Sequence, residues 1–500
     1  MKVIAYLLAM AILFANTAFA QSSPAKPVLN WAGDAEGGAP YQLPDPRDPS
    51  KIIGFEVDIA EALAKRMGRS AHFVQNQWDG LVPGLERSEY DMVIAGLEIT
   101  PERLAKINFS TPYYYSTLSL TTRQDERRIR KPEDLSGHRV GTLKATLAQR
   151  YLNEMTNVDV PTYDNQLHPY LDLMLGRLDA VVLDTPIALY YAYSPQMRNM
   201  ELSSVKFPIA IGMRKTDTAL LSEVNAALES MKAHGTLKSI YQQWGMYNSA
   251  TAEYLGDAQP ATNPNPIRYE EYLQAQETQH TFFERLEQYW SLLPLLLRGA
   301  AMTIALSSFA MVLAVSLGLG LAVARVYGSR LVVWPVITFI EIIRGTPLLI
   351  QLFIIFYGLP TVGIRLSPFW AAVIGLGVNY SAYEAENYRA GIQAIPKGHH
   401  DAATALGLTR SQTIRRIVLP QAVRLVIPPV TNDFIALLKD SSLVSVITMV
   451  ELTKVYGELA STYFDYIGLG LLTAGIYFVM GLPIARFSKF LEARLAYMKV

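Results

Sequence analysis

Seven ionisable residues, Glu341, Arg344, Glu384, Glu386, Asp433, Lys439 and Asp440, stand inside or beside long apolar stretches of this 500-residue chain. A charge in such surroundings is costly unless it faces a partner or a water-filled path. Glu341, Glu384, Asp433 and Lys439 are therefore candidates for lining a route taken by a polar solute. For Arg344, Glu386, Lys439 and Asp440 the alternative is a helix end held at the level of lipid headgroups. Covalent chemistry has less support. There is no cysteine, hence no thiol nucleophile, disulfide or Cys-ligated metal. The histidines, serines and acids show no nucleophile or metal-ligand spacing, and His399-His400 has no third ligand nearby. No Gly-Lys dipeptide occurs, so the Gly-x4-Gly-Lys-Ser/Thr phosphate loop is missing.

The elements that must position these residues follow from a change of solvent along the chain. Lys+Arg and Asp+Glu are equal at 44 each, which argues against a nucleic-acid partner. Charged residues are only 18% and hydrophobic ones 50%, so part of the chain belongs in a bilayer. Lys2, the apolar run Val3–Ala15 and Ala18-Phe19-Ala20 read as a signal peptide over 1–20, cleaved after Ala20. From 21 to 247, strand-like runs such as Ala180-Val-Val-Leu183 alternate with amphipathic stretches such as Phe55–Arg66, whose expected apolar face is Val57, Ile59, Ala60, Leu63 and Ala64. Residues 248–291 read as a linker, rich in Ala, Thr, Asn, Gly and Pro up to Asn263-Pro-Asn-Pro266, followed by a charged and aromatic helix at the membrane surface over Tyr269–Trp290.

Residues 292–500 are expected to cross the membrane five times. Gly299–Ala324 is twenty-six residues without a charge, and Gly345–Ile364, Leu366–Tyr383 and Tyr466–Ala485 are further charge-free runs. A fifth span near Val423–Val450 is expected to be a broken helix, because Pro428-Pro429, Asp433 and Lys439-Asp440 interrupt it. The turn at Arg325–Arg330, the loop Lys397–Arg416 and the tail with Arg486, Lys489, Arg494 and Lys499 are cationic; Pro360–Pro368 has one Arg and Glu451–Asp465 is net acidic. Positive loops stay in the cytoplasm. The first domain then lies outside and the C-terminus inside.

The most specific pattern is Asp401-Ala-Ala-Thr-Ala-Leu-Gly407, nine residues, then Ile417-Val-Leu-Pro420. Ala402, Ala403, Ala405 and Leu406 are expected to form a small apolar surface, Gly407 a left-handed turn, and Pro420 the start of the next element. The pattern resembles the Glu-Ala-Ala-x3-Gly-x9-Ile-x-Leu-Pro loop of ABC importer membrane subunits, with Asp401 for the usual Glu. Glu341-Ile-Ile-Arg-Gly-Thr-Pro-Leu-Leu349, Tyr383-Glu-Ala-Glu-Asn-Tyr-Arg-Ala-Gly-Ile392 and Lys439-Asp-Ser-Ser-Leu-Val-Ser-Val446 resemble spans of permeases in its polar amino-acid branch. The resemblance implies a cytoplasmic coupling helix near 396–416, carrying Asp401, Ala402, Ala403 and Gly407 and continuing to Pro420, that docks into a separate ATPase. It implies that ATP is used by that partner and that the permease pairs as a homodimer in membrane lipid.

In the first half, Glu98-Ile-Thr-Pro-Glu-Arg103, Phe109-Ser-Thr-Pro-Tyr-Tyr114, Gly54-Phe-Glu-Val-Asp-Ile-Ala60 and Gly176-Arg-Leu-Asp-Ala180 resemble the periplasmic amino-acid-binding proteins of family 3. The fold implied for the whole chain is multidomain: a two-lobed α/β periplasmic-binding-protein fold followed by an all-α transmembrane permease of about five helices. Two crossovers join the lobes near Ser116–Thr122 and Phe207–Arg214. An amino acid carries a carboxylate and an ammonium, both of which must be paired when desolvated. By the resemblance Arg103 holds the carboxylate, helped by Thr146 and nearby amides, and Asp184 holds the ammonium unless it serves instead as a helix N-cap. Tyr41 and Trp78 are candidate walls unless they are plain core, and Gly96 belongs to the same set. Two departures stand out: Gly37-Gly38 replace an aromatic, and Glu98 replaces Ser or Thr. With Glu36 and Asp34 nearby, the side-chain subsite should favour a polar or cationic group. The alternatives for Glu98 are an ion pair with Arg103 or a place in solvent.

The expected protein is thus a receptor fused to its own permease in the inner membrane, without cofactor or metal. The rival readings are an amino-acid-gated ion channel, opposed by the undivided sensor and the lack of a Thr-Val-Gly-Tyr-Gly filter, and a membrane sensor, opposed by the lack of a sizeable cytoplasmic domain.

Overall fold

The computed structural model describes residues 27–36, 38–257, 262–277, 282–463 and 465–496; the expected signal peptide and Gly37 lie outside them. Strands β1 (Val28–Gly33), β4 (Ser70–Gln75), β5 (Met92–Val93), β6 (Ile107–Phe109) and β12 (Gly212–Arg214) form one sheet in the order β4-β1-β5-β12-β6. A small hairpin, β2 (Leu43–Asp45) with β3 (Asp48–Ile53), sits beside it. The other lobe orders its strands β11-β7-β10-β8-β9, with β7 (Tyr114–Arg123), β8 (Val140–Leu143), β9 (Thr162–Tyr163), β10 (Ala180–Asp184) and β11 (Met197–Ile209).

Helix α1 (Phe55–Arg66) shows why the pattern folds as it does. It has acids in its first turn and bases in its last, which suits the helix dipole, and it buries Phe55, Ile59, Ala60, Leu63 and Ala64. Phe55, not Val57, completes the buried face; Val57 is half-buried. The lobes are joined where β7 and β11 begin and end: Ser116 pairs with Phe207 and Tyr114 with Ile209. The first crossover therefore lies a few residues earlier than Ser116–Thr122, whose remainder is strand inside the second lobe, whereas the second lies within Phe207–Arg214, which ends in β12 of the first lobe. Trp244, fully buried, donates from Nε1 to Asp58 at 2.7 Å and closes the first lobe.

Residues 248–257 and 262–277 carry packed helices, which alters the expected linker. The helix Ser249–Leu255 lies on the start of β7, where Thr251 Oγ1 donates to the Tyr115 carbonyl at 3.0 Å and Tyr254 to that of Pro112 at 2.7 Å. In the next helix, Ile267–Glu277, Tyr269 and Tyr272 pack on Tyr190 with ring centroids 4.9 and 4.8 Å away. The described parts of the expected helix Tyr269–Trp290 are both helical, and the part from Phe282 belongs to the first long apolar helix.

That helix, α2 (Phe282–Tyr327), contains Pro294. It is followed by α3 (Arg330–Gly345), α4 (Leu348–Phe353), α5 (Pro368–Gln393), α6 (Lys397–Ala405), α7 (Leu419–Asp440), α8 (Leu452–Tyr463) and α9 (Tyr466–Ala496). By length and apolar character, Glu284–Tyr327 and Tyr466–Phe490 can each cross a membrane, with a third if the bent pair Arg330–Gly345 and Leu348–Val362 counts as one span. The pair meets at 106°. The run Gly345–Ile364 therefore starts at a bend, because Pro347 forces Thr346 into an extended conformation. Pro428 and Pro429 do not break α7, contrary to expectation. Val426 packs against Gly391 and Tyr388 of α5 just before them, and this contact holds the helix through the lost amide donors. The break comes later, where α7 tightens into a 3-10 turn over Ser441–Ile447.

Candidate functional site

A cavity of about 380 Å³ lies between the lobes. Seven of the eight expected ligand residues line it: Glu36, Tyr41, Trp78, Gly96, Glu98, Thr146 and Asp184. The eighth, Arg103, does not, and the reason is local. Thr100 caps the short helix Pro101–Lys106, its side chain accepting from Arg103 N at 3.3 Å, and this turn aims Arg103 back at Glu98. Arg103 Nη1 donates to the Glu98 carboxylate and, at 3.0 Å, to the Glu98 carbonyl. Its Nη2 reaches across the cleft to the Ala145 carbonyl at 3.3 Å, and its guanidinium lies 5.0 Å from the Trp78 ring centroid. Glu98, only 2% exposed, then uses its other oxygen to accept from Leu147 N at 3.1 Å in the opposite lobe. Thr146 is committed to the turn before that amide: it donates to the Leu143 carbonyl at 2.8 Å and accepts from Gln149 N at 3.3 Å.

Asp184 ends β10 and makes no side-chain cap on the helix that follows. Its Oδ2 accepts from Tyr41 OH at 3.2 Å, a second contact between lobes. Burial, reinforced by the nearby Glu98 charge, holds its carboxyl well above the usual range, against the Tyr41 hydrogen bond and Arg103. A cation entering the cleft would relieve that cost. Glu56, which sequence reasoning left out of the site although it lies in the Gly54–Ala60 motif, fixes the loop bearing Glu98. It is fully buried, accepts from Gly96 N at 2.7 Å and from Tyr113 OH, and burial pushes its carboxyl up to about 8. Asp34 accepts from Glu36 N at 3.0 Å, Gln75 Nε2 at 3.0 Å and Trp78 N at 2.9 Å, which fixes the acidic end of the cavity. Burial raises its carboxyl too, offset in part by Lys454.

The cavity is closed by residues from the second half of the chain, Phe353 and Val446. Several polar contacts hold the halves together. Lys454 pairs with Glu36, Asn165 Nδ2 donates to Ser461 Oγ at 3.2 Å, and Tyr463 OH donates to the Pro46 carbonyl at 2.9 Å. On the other flank Arg87 lies over Phe356, 4.2 Å from its ring centroid, and Arg365 donates to the Arg87 carbonyl at 3.3 Å. The two cation-poor loops, 360–368 and 451–465, are thus the ones against the two-lobed domain. No signal in the sequence pointed to these pairs.

Residues 32–247 match the bacterial extracellular solute-binding proteins, family 3, and residues 314–497 match the binding-protein-dependent transport system inner membrane component. A probable amino-acid ABC transporter permease protein of Bacillus subtilis (strain 168), YckA, is 37% identical over 204 residues, which are 41% of this chain and 90% of that protein. The glutamine transport system permease protein GlnP of Escherichia coli (strain K12) is 36% identical over 208 residues, 41% of this chain and 95% of that protein. The ABC transporter arginine-binding protein 1 of the same strain is 33% identical over 202 residues, 39% of this chain and 82% of that protein. The chain belongs to the amino-acid ABC importers, with binding protein and permease fused. Its relatives are transport proteins; it is integral to the inner membrane with the binding domain outside, and the family implies an ATPase partner and an amino-acid ligand.

Within the importer's permease half, Glu384 is fully buried on α5 and lies against Asp433 of α7, which accepts from Asn387 Nδ2 at 2.8 Å. Glu341 and Lys439 are exposed on this single chain and are not brought to that pair. Glu386 is held by Arg325 and by Arg389 at 2.8 Å, and Asp440 accepts from Tyr380 OH at 2.7 Å. The expected coupling segment forms α6, with Gly407 at φ 77° just after it. Asp401, Ala402, Ala405 and Leu406 are exposed, whereas Ala403 is buried, so it supports the surface without belonging to it. Pro420 lies in the first turn of α7.

Proposed function

We propose that this importer captures polar amino acids with basic or amide side chains outside the membrane and passes them through its own permease, driven by ATP hydrolysis in a separate subunit. The observation that carries the substrate class is the excess of carboxylates on the cavity wall. Asp34, Glu36, Glu98 and Asp184 line it, against Lys144, which pairs with Asp79 and Asp164 at 3.7 and 3.4 Å. An α-amino acid's carboxylate would displace Glu98 from Arg103 and the Leu147 amide. Its ammonium would meet Asp184 and the freed Glu98, and its side chain would point to Asp34 and Glu36. The arginine-binding and glutamine-permease relatives support the same class by name.

The permease would cross the membrane five times, by α2, the bent α3–α4 pair, α5, α7 and α9, with its C-terminus in the cytoplasm. The cation-rich loops, far from the binding domain, support that orientation. The permease would work as a homodimer in lipid, which would bring Glu341 and Lys439 to an interface or path. Glu384 and Asp433 would line the route, and Asp401, Ala402, Gly407 and Pro420 would couple it to the ATPase. The test is equilibrium binding of L-arginine, L-lysine, L-glutamine, L-leucine and L-glutamate to the full chain in lipid nanodiscs, with Arg103→Ala beside it. Binding of basic or amide ligands, lost in the variant, is expected. Binding of L-leucine or L-glutamate alone would refute the substrate class.

A further inference from the structure

Helix α8 lays one face across the mouth of the ligand cleft. Lys454, Gly457 and Ser461 recur at helical spacing on that face, Lys454 meeting Glu36 of one lobe and Ser461 meeting Asn165 of the other. Gly457 leaves room for this contact: a Cβ on it would stand 2.7 Å from Glu36 Oε1, and the carboxylate would have to turn aside. Next to this contact His168 packs against Tyr466 with ring centroids 5.5 Å apart and the rings tilted by 51°.

The two partners of the ion pair differ in exposure. The Lys454 side chain is 2% exposed, so its ammonium has exchanged water for carboxylates; the Glu36 side chain keeps 26% exposure and lines the ligand cavity. Asp34, Glu36 and Glu458 surround the single ammonium of Lys454. Burial alone would weaken its hold on the proton, but these three acids keep it firmly charged. Asp34 is fixed by its three donors, so Glu36 is the acid free to turn between the helix and the cavity.

The geometry points to Lys454 as a tethered competitor of the ligand: its ammonium and a cationic ligand side chain use the same Glu36 carboxylate. Docking the binding domain on α8 then loosens a basic amino acid from its acidic subsite, at the mouth where Phe353 and Val446 of the permease face the cavity. When the domain lifts away, Glu36 returns to the ligand. The exchange acts on ligands with a charged side chain and spares neutral ones of the same shape. It rests on the substrate class proposed above.

The test compares L-arginine with L-citrulline, its neutral isostere, on the full chain in nanodiscs without the ATPase. One charge-assisted contact is at stake, about 1.5 kcal/mol or roughly tenfold in affinity. Lys454→Met should tighten L-arginine by about tenfold and change L-citrulline less than twofold; Lys454→Arg should behave as the parent. Glu36→Gln should erase the difference that Lys454→Met makes. Citrulline binding reports folding in every variant, and should Lys454→Met lose it, the polar variant Lys454→Gln reads the exchange instead: it must tighten L-arginine relative to L-citrulline. Equal arginine affinity in parent and Lys454→Met, or equal tightening of both ligands, overturns the exchange and leaves the substrate class standing. Arginine that binds no form while citrulline binds all overturns the basic part of the substrate class, and the exchange with it.

Discussion

The carboxylate of Glu98 joins the two lobes of the binding domain by accepting the Leu147 amide at 3.1 Å while it holds Arg103 of its own lobe. In the binding mode proposed above, an acid of the protein thus fills the seat of the ligand's carboxylate and keeps Arg103 off the cavity wall. A ligand would then have to pull Glu98 away first. The Glu98→Ser variant should bare Arg103 and remove that competition. A charge-assisted hydrogen bond is worth about 1.5–3 kcal/mol, so a neutral amino acid such as L-glutamine should bind at least about tenfold more tightly. Calorimetry on the full chain decides it. Weaker glutamine binding would mean that Glu98 serves the ligand's ammonium more than it obstructs the carboxylate.

Arg103 makes two kinds of contact that a lysine cannot copy, forked hydrogen bonds to two carbonyls and a carboxylate, and a flat face over Trp78. Arg103→Lys keeps the charge but should lose affinity by about a hundredfold, close to the loss in Arg103→Ala, on the scale of two charged contacts. A lysine variant within fivefold of the parent would reduce the role of Arg103 to simple charge.

Glu56 makes the stability of the binding domain depend on pH. Burial raises its carboxyl from 4.5 to about 8, so the folded state binds its proton where the unfolded chain has released it. The stabilisation is complete below about pH 4.5 and disappears as the pH rises towards 8. Asp34 and Asp184 are shifted in the same direction and add to the slope. Glu56→Gln should flatten the fall in melting temperature across that interval, by up to about 1.4 kcal/mol per pH unit of stability. Thermal unfolding followed by tryptophan fluorescence measures it, and an unchanged slope would show that Glu56 does not hold the proton.

How much of this was legible depended on sequence distance. The turn Thr100-Pro-Glu-Arg103 specifies its own geometry through a cap and a proline, so Arg103 and Glu98 could be named from a short motif. Glu56 stood inside a recognised motif but signals nothing by itself, since only burial beneath Gly96 gives it a role. The pair Glu36 and Lys454 is 418 residues apart, and no local rule joins them. The proline pair at 428–429 misled because propensity acts locally, whereas the contact of Val426 with Gly391 is tertiary. Residues 248–265 read as linker by composition and Tyr269–Trp290 as a helix on the membrane surface, yet the helix Ser249–Leu255 packs on β7 and Tyr269 and Tyr272 pack on Tyr190.

The far end of the permease carries the last prediction. Leu406 is 80% exposed at the end of α6, beside exposed Ala402 and Ala405, an apolar patch on a cation-rich loop. An exposed leucine in that position gains by being covered, and the family's ATPase is the partner that would cover it. Gly407 sets the direction of the patch through its left-handed φ of 77°, which costs another residue about 1–2 kcal/mol. Leu406→Glu lies outside the ligand cleft and should leave arginine affinity unchanged. With the ATPase added in proteoliposomes, it should lower substrate-stimulated hydrolysis and uptake together by at least about tenfold, because a buried carboxylate would have to be desolvated at the joint. Gly407→Val should act in the same direction but more weakly, since strain in the turn tilts the patch without charging it. Parent levels of uptake in Leu406→Glu would remove this helix from the coupling path.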